Sequence, residues 1–161
     1  MAILLYRVDG RMLHGQVCTT YGRMWRIDEY LVINEEIAKN ELQISLLEMA
    51  AMGARVHVLS PKDAYEFLAN DKCKGSNTIV VFKELMDAVE VIVDYGLKVE
   101  ALQIGTMFNN KDGTRKKYDI SLFANDEDAK QFRKLADKGV ALTYQAVPDS
   151  KEKQLSSMVQ Y

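Results

Sequence analysis

The chain has 161 residues, with 21 basic and 23 acidic side chains and a formal net charge of −2 at pH 7. A chain of this length forms one domain that buries about 70% of its unfolded surface, so it needs neither a disulfide nor a metal to fold. With 48% hydrophobic and 27% charged residues, it is neither disordered nor fibrous, and its near-zero net charge argues against a nucleic-acid-binding protein.

Six short runs rich in Val, Ile and Leu predict strands that are buried on both faces of a sheet. The runs are residues 3–8, 30–34, 55–60, 78–82, 99–104 and 139–145. A first helix is expected to begin near Gly15 or Gln16, after the first of these strands.

Amphipathic segments between the later runs predict further helices. Residues 41–52 place one apolar stripe on a helix, formed by Leu42, Leu46, Met49 and Ala50. The other predicted helices begin at Ser60-Pro61, cover 83–95, and run from an acidic first turn at 125–128 to Gly139. This alternation predicts an α/β fold: a single three-layer domain over residues 1–161, with a mostly parallel central sheet flanked by helices on both faces.

The expected compartment follows from features that the sequence lacks. No basic leader precedes the first apolar run, and no window approaches 18 consecutive apolar residues. Cys18 and Cys73 have neither the spacing of metal ligands nor partners for a disulfide framework. We therefore expect a cytoplasmic protein.

The loop after the first strand is the most informative segment, because ligands of open α/β sheets bind beyond the carboxyl ends of the strands. It reads DGRMLHGQV over residues 9–17. Gly10 and Gly15 have the spacing of a P-loop, but Gln16 and Val17 stand where that motif requires Lys and Ser or Thr. Nucleotide hydrolysis is therefore not expected.

The charges near this loop favour an anion. Residues 1–26 contain one acid, Asp9, and four arginines, which gives +3 and leaves −5 for the remaining chain. The arginines are Arg7, Arg11, Arg23 and Arg26. Free N–H groups at the start of a helix add to the preference for an anion, and a phosphoryl group suits such a site.

His14 lies within the same loop and is a competent nucleophile near pH 7, because much of it is neutral there. The alternative is a surface or helix-capping histidine. Asp9 has two possible roles, since its carboxylate could orient the His14 ring or pair with Arg11. The sequence does not separate these roles.

Residues 7–17, RVDGRMLHGQV, resemble the signature of the IIB component of the mannose/fructose/sorbose family of the bacterial sugar phosphotransferase system (PTS). They differ from the usual pattern only at Met12, where Leu is common. The resemblance implies that His14 accepts a phosphoryl group on Nδ1 from the phosphohistidine of a IIA component. It also implies that the group passes to a sugar of the mannose, fructose, sorbose or amino-sugar class, held by the membrane components IIC and IID.

The resemblance also implies roles for the neighbours of His14. Arg11 and Asp9 would join it in catalysis, with Arg11 on the phosphoryl oxygens. The residues expected to bind the phosphate are Gly15, Gln16, Arg7, Gly105 and Thr106, although Thr106 stands where the family commonly has Gly. No metal or nucleotide cofactor is needed, because the donor is itself a phosphohistidine.

The partners expected on this basis are a phosphorylated IIA protein on a separate chain and the membrane components IIC and IID. The IIA protein is expected to dock at the arginine-rich edge around His14, through contacts that salt weakens. The sequence leaves open whether the protein forms a homo-oligomer. The basic loop containing Lys111, Arg115, Lys116 and Lys117 either faces an acidic partner or is merely solvated.

Three other interpretations compete with this one. Cys18 invites comparison with IIB proteins that use a phosphocysteine, although a small buried residue is the simpler interpretation. His57 alternates with apolar neighbours and is expected to be an ordinary strand residue. A non-catalytic flavodoxin-like domain such as a receiver would need an Asp at the end of the third strand, where this chain has Leu59-Ser60-Pro61.

Overall fold

The computed structural model describes residues 2–161 and contains nine strands. They are β1 (Ala2–Asp9), β2 (Glu29–Ile33), β3 (Arg55–Leu59), β4 (Asn77–Phe82), β5 (Ala101–Thr106), β6 (Lys116–Asp119), β7 (Leu122–Ala124), β8 (Ala141–Tyr144) and β9 (Lys153–Gln154). The helices are α1 (Gly15–Met24), α2 (Glu41–Ala50), α3 (Pro61–Ala69), α4 (Leu85–Val89), which continues as a π-helical segment (Glu90–Asp94), and α5 (Asp126–Asp137). Short 3-10 turns cover Ile37–Lys39 and Leu155–Ser157.

Seven strands form the main sheet in the order β3-β2-β4-β1-β5-β8-β9, and all neighbours are parallel except β8 and β9. All six predicted runs are strands of this sheet. Because β1 lies between β4 and β5, the segments that follow these three strands meet at one edge. The candidate site residues that follow β1 and β5 lie at that edge.

Alternate residues of the strands pack on opposite sides of the sheet, as a strand's period of two requires. Leu31 and Phe82 face a core closed by α3, α4 and α5. Val32 and Val81 face a second core closed by α1 and α2. The predicted three-layer arrangement is therefore confirmed. Within residues 2–161, no helix has the length and apolar character needed to cross a membrane.

The helix starts also follow the sequence. Ser60 caps α3 by accepting a hydrogen bond from the Asp63 N–H at 3.1 Å. Asn125 caps α5 in the same way, accepting from the Asp128 N–H at 2.9 Å. Each cap satisfies an amide that has no partner inside its helix, which is why these residue types stop the preceding segment and start the helix.

Three of the four residues in the predicted apolar stripe of α2 face solvent, whereas the fourth, Ala50, packs against the core closed by α1 and α2. Leu42, Leu46 and Met49 are 70%, 49% and 78% exposed, whereas Leu47 and Ala51 lie in the core. Two stripes of this segment are apolar, and only one of them can face the sheet. The sequence pattern selected the wrong one.

Candidate functional site

The loop between β1 and α1 is held to the end of β5 by a backbone hydrogen bond. The Gly10 N–H donates to the Thr106 carbonyl at 2.8 Å, which fixes the loop to the end of β5. Met12 is buried and has a left-handed backbone, with φ of 61°. Such a conformation costs a non-glycine residue about 1–3 kcal/mol and is typical of functional sites.

His14 ends this loop and is the N-cap of α1, although its side chain makes no capping hydrogen bond. The Cys18 N–H donates to the His14 carbonyl at 3.0 Å, so the amides of residues 15–17 precede the first bond of the helix. Among the described residues the ring atom Nε2 is enclosed and has no hydrogen-bond partner. This leaves Nδ1 as the nitrogen open to a ligand at the positive end of the helix dipole.

The surroundings of His14 keep its ring neutral. Burial lowers the pKa of His14 below its ordinary value of 6.5, and Arg11 and Arg7 reinforce this effect, whereas Asp9 opposes it. A neutral ring retains a nitrogen lone pair, which is the form that attacks phosphorus.

The lowered pKa of His14 predicts the pH dependence of its reactivity. We expect phosphoryl uptake to be independent of pH above 6.5 and to fall only at lower pH, because protonation removes the lone pair. In an NMR titration, the His14 Cε1 proton should have a midpoint below 6.5, and Arg11→Met should raise that midpoint. The chain has only two histidines, so the resonance missing from His14→Gln is the one to follow. A native midpoint at or above 6.5 contradicts the prediction.

The carboxylate of Asp9 is fully buried between two arginines. Its oxygens accept from Arg7 Nε at 3.1 Å and from Arg11 Nε and Nη2 at 3.2 Å each, and the Arg11 backbone N–H donates to it at 3.0 Å. It makes no hydrogen bond with His14. Of the two roles left open by the sequence, the structure therefore supports pairing with arginine: Asp9 positions Arg11 and does not orient the ring.

Arg7 is not a phosphate ligand, contrary to the prediction. Its side chain is 1% exposed, and its guanidinium is surrounded by protein acceptors. Nη1 donates to the Gln103 side chain and to the Gln145 carbonyl, Nη2 donates to the Ala146 carbonyl, and Asp9 takes Nε. Arg7 therefore joins β1, β5 and the segment after β8 beneath the site.

Gly105 has a different role from the predicted one. A Cβ at this position would overlap the guanidinium of Arg7. The residue must be glycine because Arg7 lies directly against its backbone, so Gly105 acts beneath the site and not on the phosphate.

Arg11 is the arginine that remains available to a ligand. Its side chain is 30% exposed. Nε and Nη2 bind Asp9, and Nη2 also donates to the Ala146 carbonyl at 3.1 Å, whereas Nη1 has no partner in the described part of the chain. A guanidinium held on one side and free on the other is suited to a phosphoryl oxygen.

Gly15 is exposed, and a Cβ added there would meet no atom outside its own helix within 4 Å. Thr106 lies at the end of β5 beside Gly10, and its buried Oγ1 has no hydrogen-bond partner among residues 2–161. The side chain of Gln16 lies outside the described structure. Its predicted contact with phosphate therefore stays a prediction.

Arg23 and Arg26 do not bracket the site. Arg23 lies in the last turn of α1, about 13–14 Å along the helix from His14 at 1.5 Å per residue. The Arg26 carbonyl accepts from the side chain of Asn77, the first residue of β4, so Arg26 lies at the opposite edge of the sheet. The excess charge of residues 1–26 is thus dispersed, and Arg11 is the arginine among these four that lies partly exposed in the loop of His14.

Cys18, His57 and Arg115 have structural environments. Cys18 is buried, and burial raises the pKa of its thiol, which keeps it protonated. His57 lies within β3 and pairs with Glu29 through Nε2 at 3.1 Å, as expected of a strand residue. Arg115, from the basic loop, binds Asp128 through Nε at 2.8 Å, which ties this loop to α5.

Sequence reasoning missed Gln103, which links the site to the segment after β8. Its Oε1 accepts from Arg7 and from the Tyr21 hydroxyl, and its Nε2 donates to Gln145 and Glu152. A glutamine in an otherwise apolar strand was the available signal, since a buried amide must find partners.

Comparisons with known proteins identify the family to which the chain belongs. A family model described as "PTS system sorbose subfamily IIB component" matches residues 3–161. The chain is 31% identical to the sorbose-specific EIIB component of Lacticaseibacillus casei over 91% of this chain and 88% of that protein. It is 27% identical to the fructose-specific EIIB component of Bacillus subtilis over 92% and 90% of the two chains. The solved IIBSor domain of the sorbose permease from Klebsiella pneumoniae matches with a TM-score of 0.86 and 25% identity, covering 98% of this chain and 95% of that one.

Proposed function

The chain belongs to the sorbose subfamily of PTS IIB components, a family of phosphotransferases, and on that premise we propose that His14 is its phosphoryl carrier. The group arrives from a phosphorylated IIA protein and leaves to a sugar bound by membrane-embedded IIC and IID. The observation that carries this proposal is the state of His14: a neutral ring at the start of α1, with Nε2 enclosed and Nδ1 open.

The transfer needs no other reactant. The Nδ1 lone pair of His14 attacks phosphorus as the bond between phosphorus and the donor nitrogen breaks, and the electron pair of that bond returns to the donor imidazole. Donor and acceptor differ only by the phosphoryl group, so charges and protons balance. The chain supplies position and charge, which is the main protein contribution to phosphoryl transfer.

The roles of the surrounding groups follow from their partners. Arg11 would bind a phosphoryl oxygen through its free Nη1, and the amides of residues 15–17 would bind the others. Asp9 positions Arg11, and Arg7 and Gly105 support Asp9 from below. Thr106 stays a candidate contact, because its hydroxyl has no partner within the described chain.

The donor protein, the compartment and the class of sugar are parts of the same proposal. We expect the IIA donor on a separate chain and the protein to act in the cytoplasm, at the membrane components. The sugar is expected to be of the mannose, fructose, sorbose or amino-sugar class. Assays with membranes that supply cognate IIC and IID, over a panel of these sugars, would identify it.

The direct test is to map the phosphoryl group. The protein is incubated with labelled phospho-IIA and digested, and the modified residue is identified by mass spectrometry under basic conditions. We expect one adduct, on His14, that is stable in base and lost in acid, as phosphoramidates are. Label on Cys18, on an acid-stable ester or on no residue would refute the proposal.

A further inference from the structure

An apolar groove lies beside the phosphoryl site and ends at Arg11. It encloses about 270 Å³ and is lined mainly by apolar side chains, with Arg11 at its edge. The residues that define it here are Arg11, Phe108, Ile120, Phe123 and Val147. We call it the Arg11 groove.

The walls of the Arg11 groove are fixed by hydrogen bonds. The hairpin of β6 and β7 forms one wall, and it is anchored to the chain after β5 at Met107. The Met107 N–H donates to the Ser121 carbonyl at 2.9 Å, and the Phe123 N–H donates to the Met107 carbonyl at 3.0 Å. Ser121 Oγ also donates to the Gly105 carbonyl at 2.8 Å. The groove is therefore formed before any partner arrives.

Two of its side chains are unusually exposed for their size. Ile120, at the turn of the hairpin, is 76% exposed, and Phe108 is 53% exposed. Turn positions normally carry Gly, Asn, Asp or Ser, so an exposed β-branched residue there contributes little to folding. Phe108 packs its ring on the catalytic loop, 2.8 Å from where a Cβ of Gly10 would lie. The apolar surface is thus continuous with the loop that carries His14.

The charges around the groove are positive. Arg11 is at its edge, and the Nζ of Lys117 lies 5.9 Å from the centroid of the Phe123 ring. Asp119, the carboxylate of the hairpin, is paired with Lys153 at 3.0 Å. A partner that presents an apolar side chain beside an anionic group complements this surface.

We propose that the Arg11 groove is the docking surface for the phosphoryl donor, the phosphorylated IIA protein. The inference rests on the proposed function, because that function supplies a partner whose phosphohistidine carries about two negative charges. An apolar side chain of the donor would fill the groove while its phosphoryl group meets Arg11 and His14. The predicted arginine-rich edge is replaced by this single-arginine, largely apolar surface.

The exposed stripe of α2 provides a matched control. Leu42, Leu46 and Met49 form an apolar surface of similar exposure, and none of them lines the Arg11 groove. Met49 is 78% exposed and Ile120 is 76% exposed, so a glutamate at either position has the same access to water. Neither substitution should disturb folding.

The experiment compares Ile120→Glu with Met49→Glu, using two phosphoryl donors. Phosphoramidate phosphorylates histidine without a protein partner, and phospho-IIA requires docking. With phospho-IIA, we expect Ile120→Glu to lower kcat/KM by about tenfold or more, as for a central interface residue. Met49→Glu should match the native protein. With phosphoramidate, all three proteins should be labelled at the same rate, and circular dichroism should give the same spectra.

Failure of the proposed function and failure of the docking inference give different results in this experiment. If the native protein takes label from neither donor, the proposed function fails. If it takes label from both and Ile120→Glu reacts normally with phospho-IIA, the docking inference is overturned. A loss in Met49→Glu alone would place the donor on α2, and a loss confined to sugar phosphorylation would assign the groove to the membrane acceptor. Each of these two results also overturns the inference.

Discussion

Replacing His14 with glutamine is expected to reduce phosphoryl uptake from phospho-IIA by at least ~10³-fold, because it removes the proposed nucleophile. Stability should change little. The His14 side chain makes no capping hydrogen bond, and Nε2 has no partner within residues 2–161, so its loss breaks no polar contact of the folded state. Label transfer and a thermal melt of the same sample measure the two effects separately.

Two matched variants test the alternatives to His14. His57→Gln changes the other histidine, which lies on β3 and pairs with Glu29, and Cys18→Ala removes a buried thiol. Both should take up label at close to the native rate. Uptake that survives in His14→Gln and disappears in either of the other variants would contradict the assignment.

The sequence predicted best those features that depend on local pattern. The strands follow from short apolar runs, and the starts of α3 and α5 follow from Ser60 and Asn125, whose side chains cap the helix within three residues. His14 was also found locally, because the loop, the histidine and the helix start are contiguous. Local rules did not decide which face of α2 packs on the sheet, since both of its stripes are apolar.

The environment of each arginine could not be predicted, because it depends on contacts between distant parts of the chain. Arg7 donates to the Gln145 carbonyl, which lies 138 residues further along the chain. The guanidinium of Arg7 fits there because Gly105 has no Cβ. A count of charges along the chain treats Arg7, Arg11 and Arg23 alike. In the structure Arg7 is buried beneath the site, Arg11 is partly exposed in the loop that carries His14, and Arg23 lies in the last turn of α1.

Alanine at Gly105 is the second substitution with a large expected effect. The added methyl would overlap the guanidinium of Arg7, which is buried and cannot move aside without losing its partners. Displacing it separates Arg7 from Asp9 and leaves two carbonyl groups, of Gln145 and Ala146, without this donor. Breaking a buried ion pair of this kind costs about 3–5 kcal/mol. We expect a loss of that size in the free energy of unfolding measured with urea.

Gly22 provides the matched control for this substitution. It lies in α1, is exposed, and an added Cβ would meet no atom outside its own helix within 4 Å. Gly22→Ala should therefore stabilise the protein by about 0.5–1 kcal/mol, because alanine restricts the unfolded chain and favours a helix. Equal effects at the two glycines would show that Gly105 has no special contact.

A double-mutant cycle with Arg7→Met identifies the cause of the Gly105→Ala loss. If overlap with the guanidinium is responsible, Gly105→Ala should cost much less in the Arg7→Met background than in the native protein, and the coupling should approach the whole loss. Additive effects would mean that the methyl meets the backbone instead. The result also bears on catalysis, because Arg7 holds Asp9 and Asp9 holds Arg11. Gly105→Ala should therefore lower phosphoryl uptake even at temperatures where the variant remains folded.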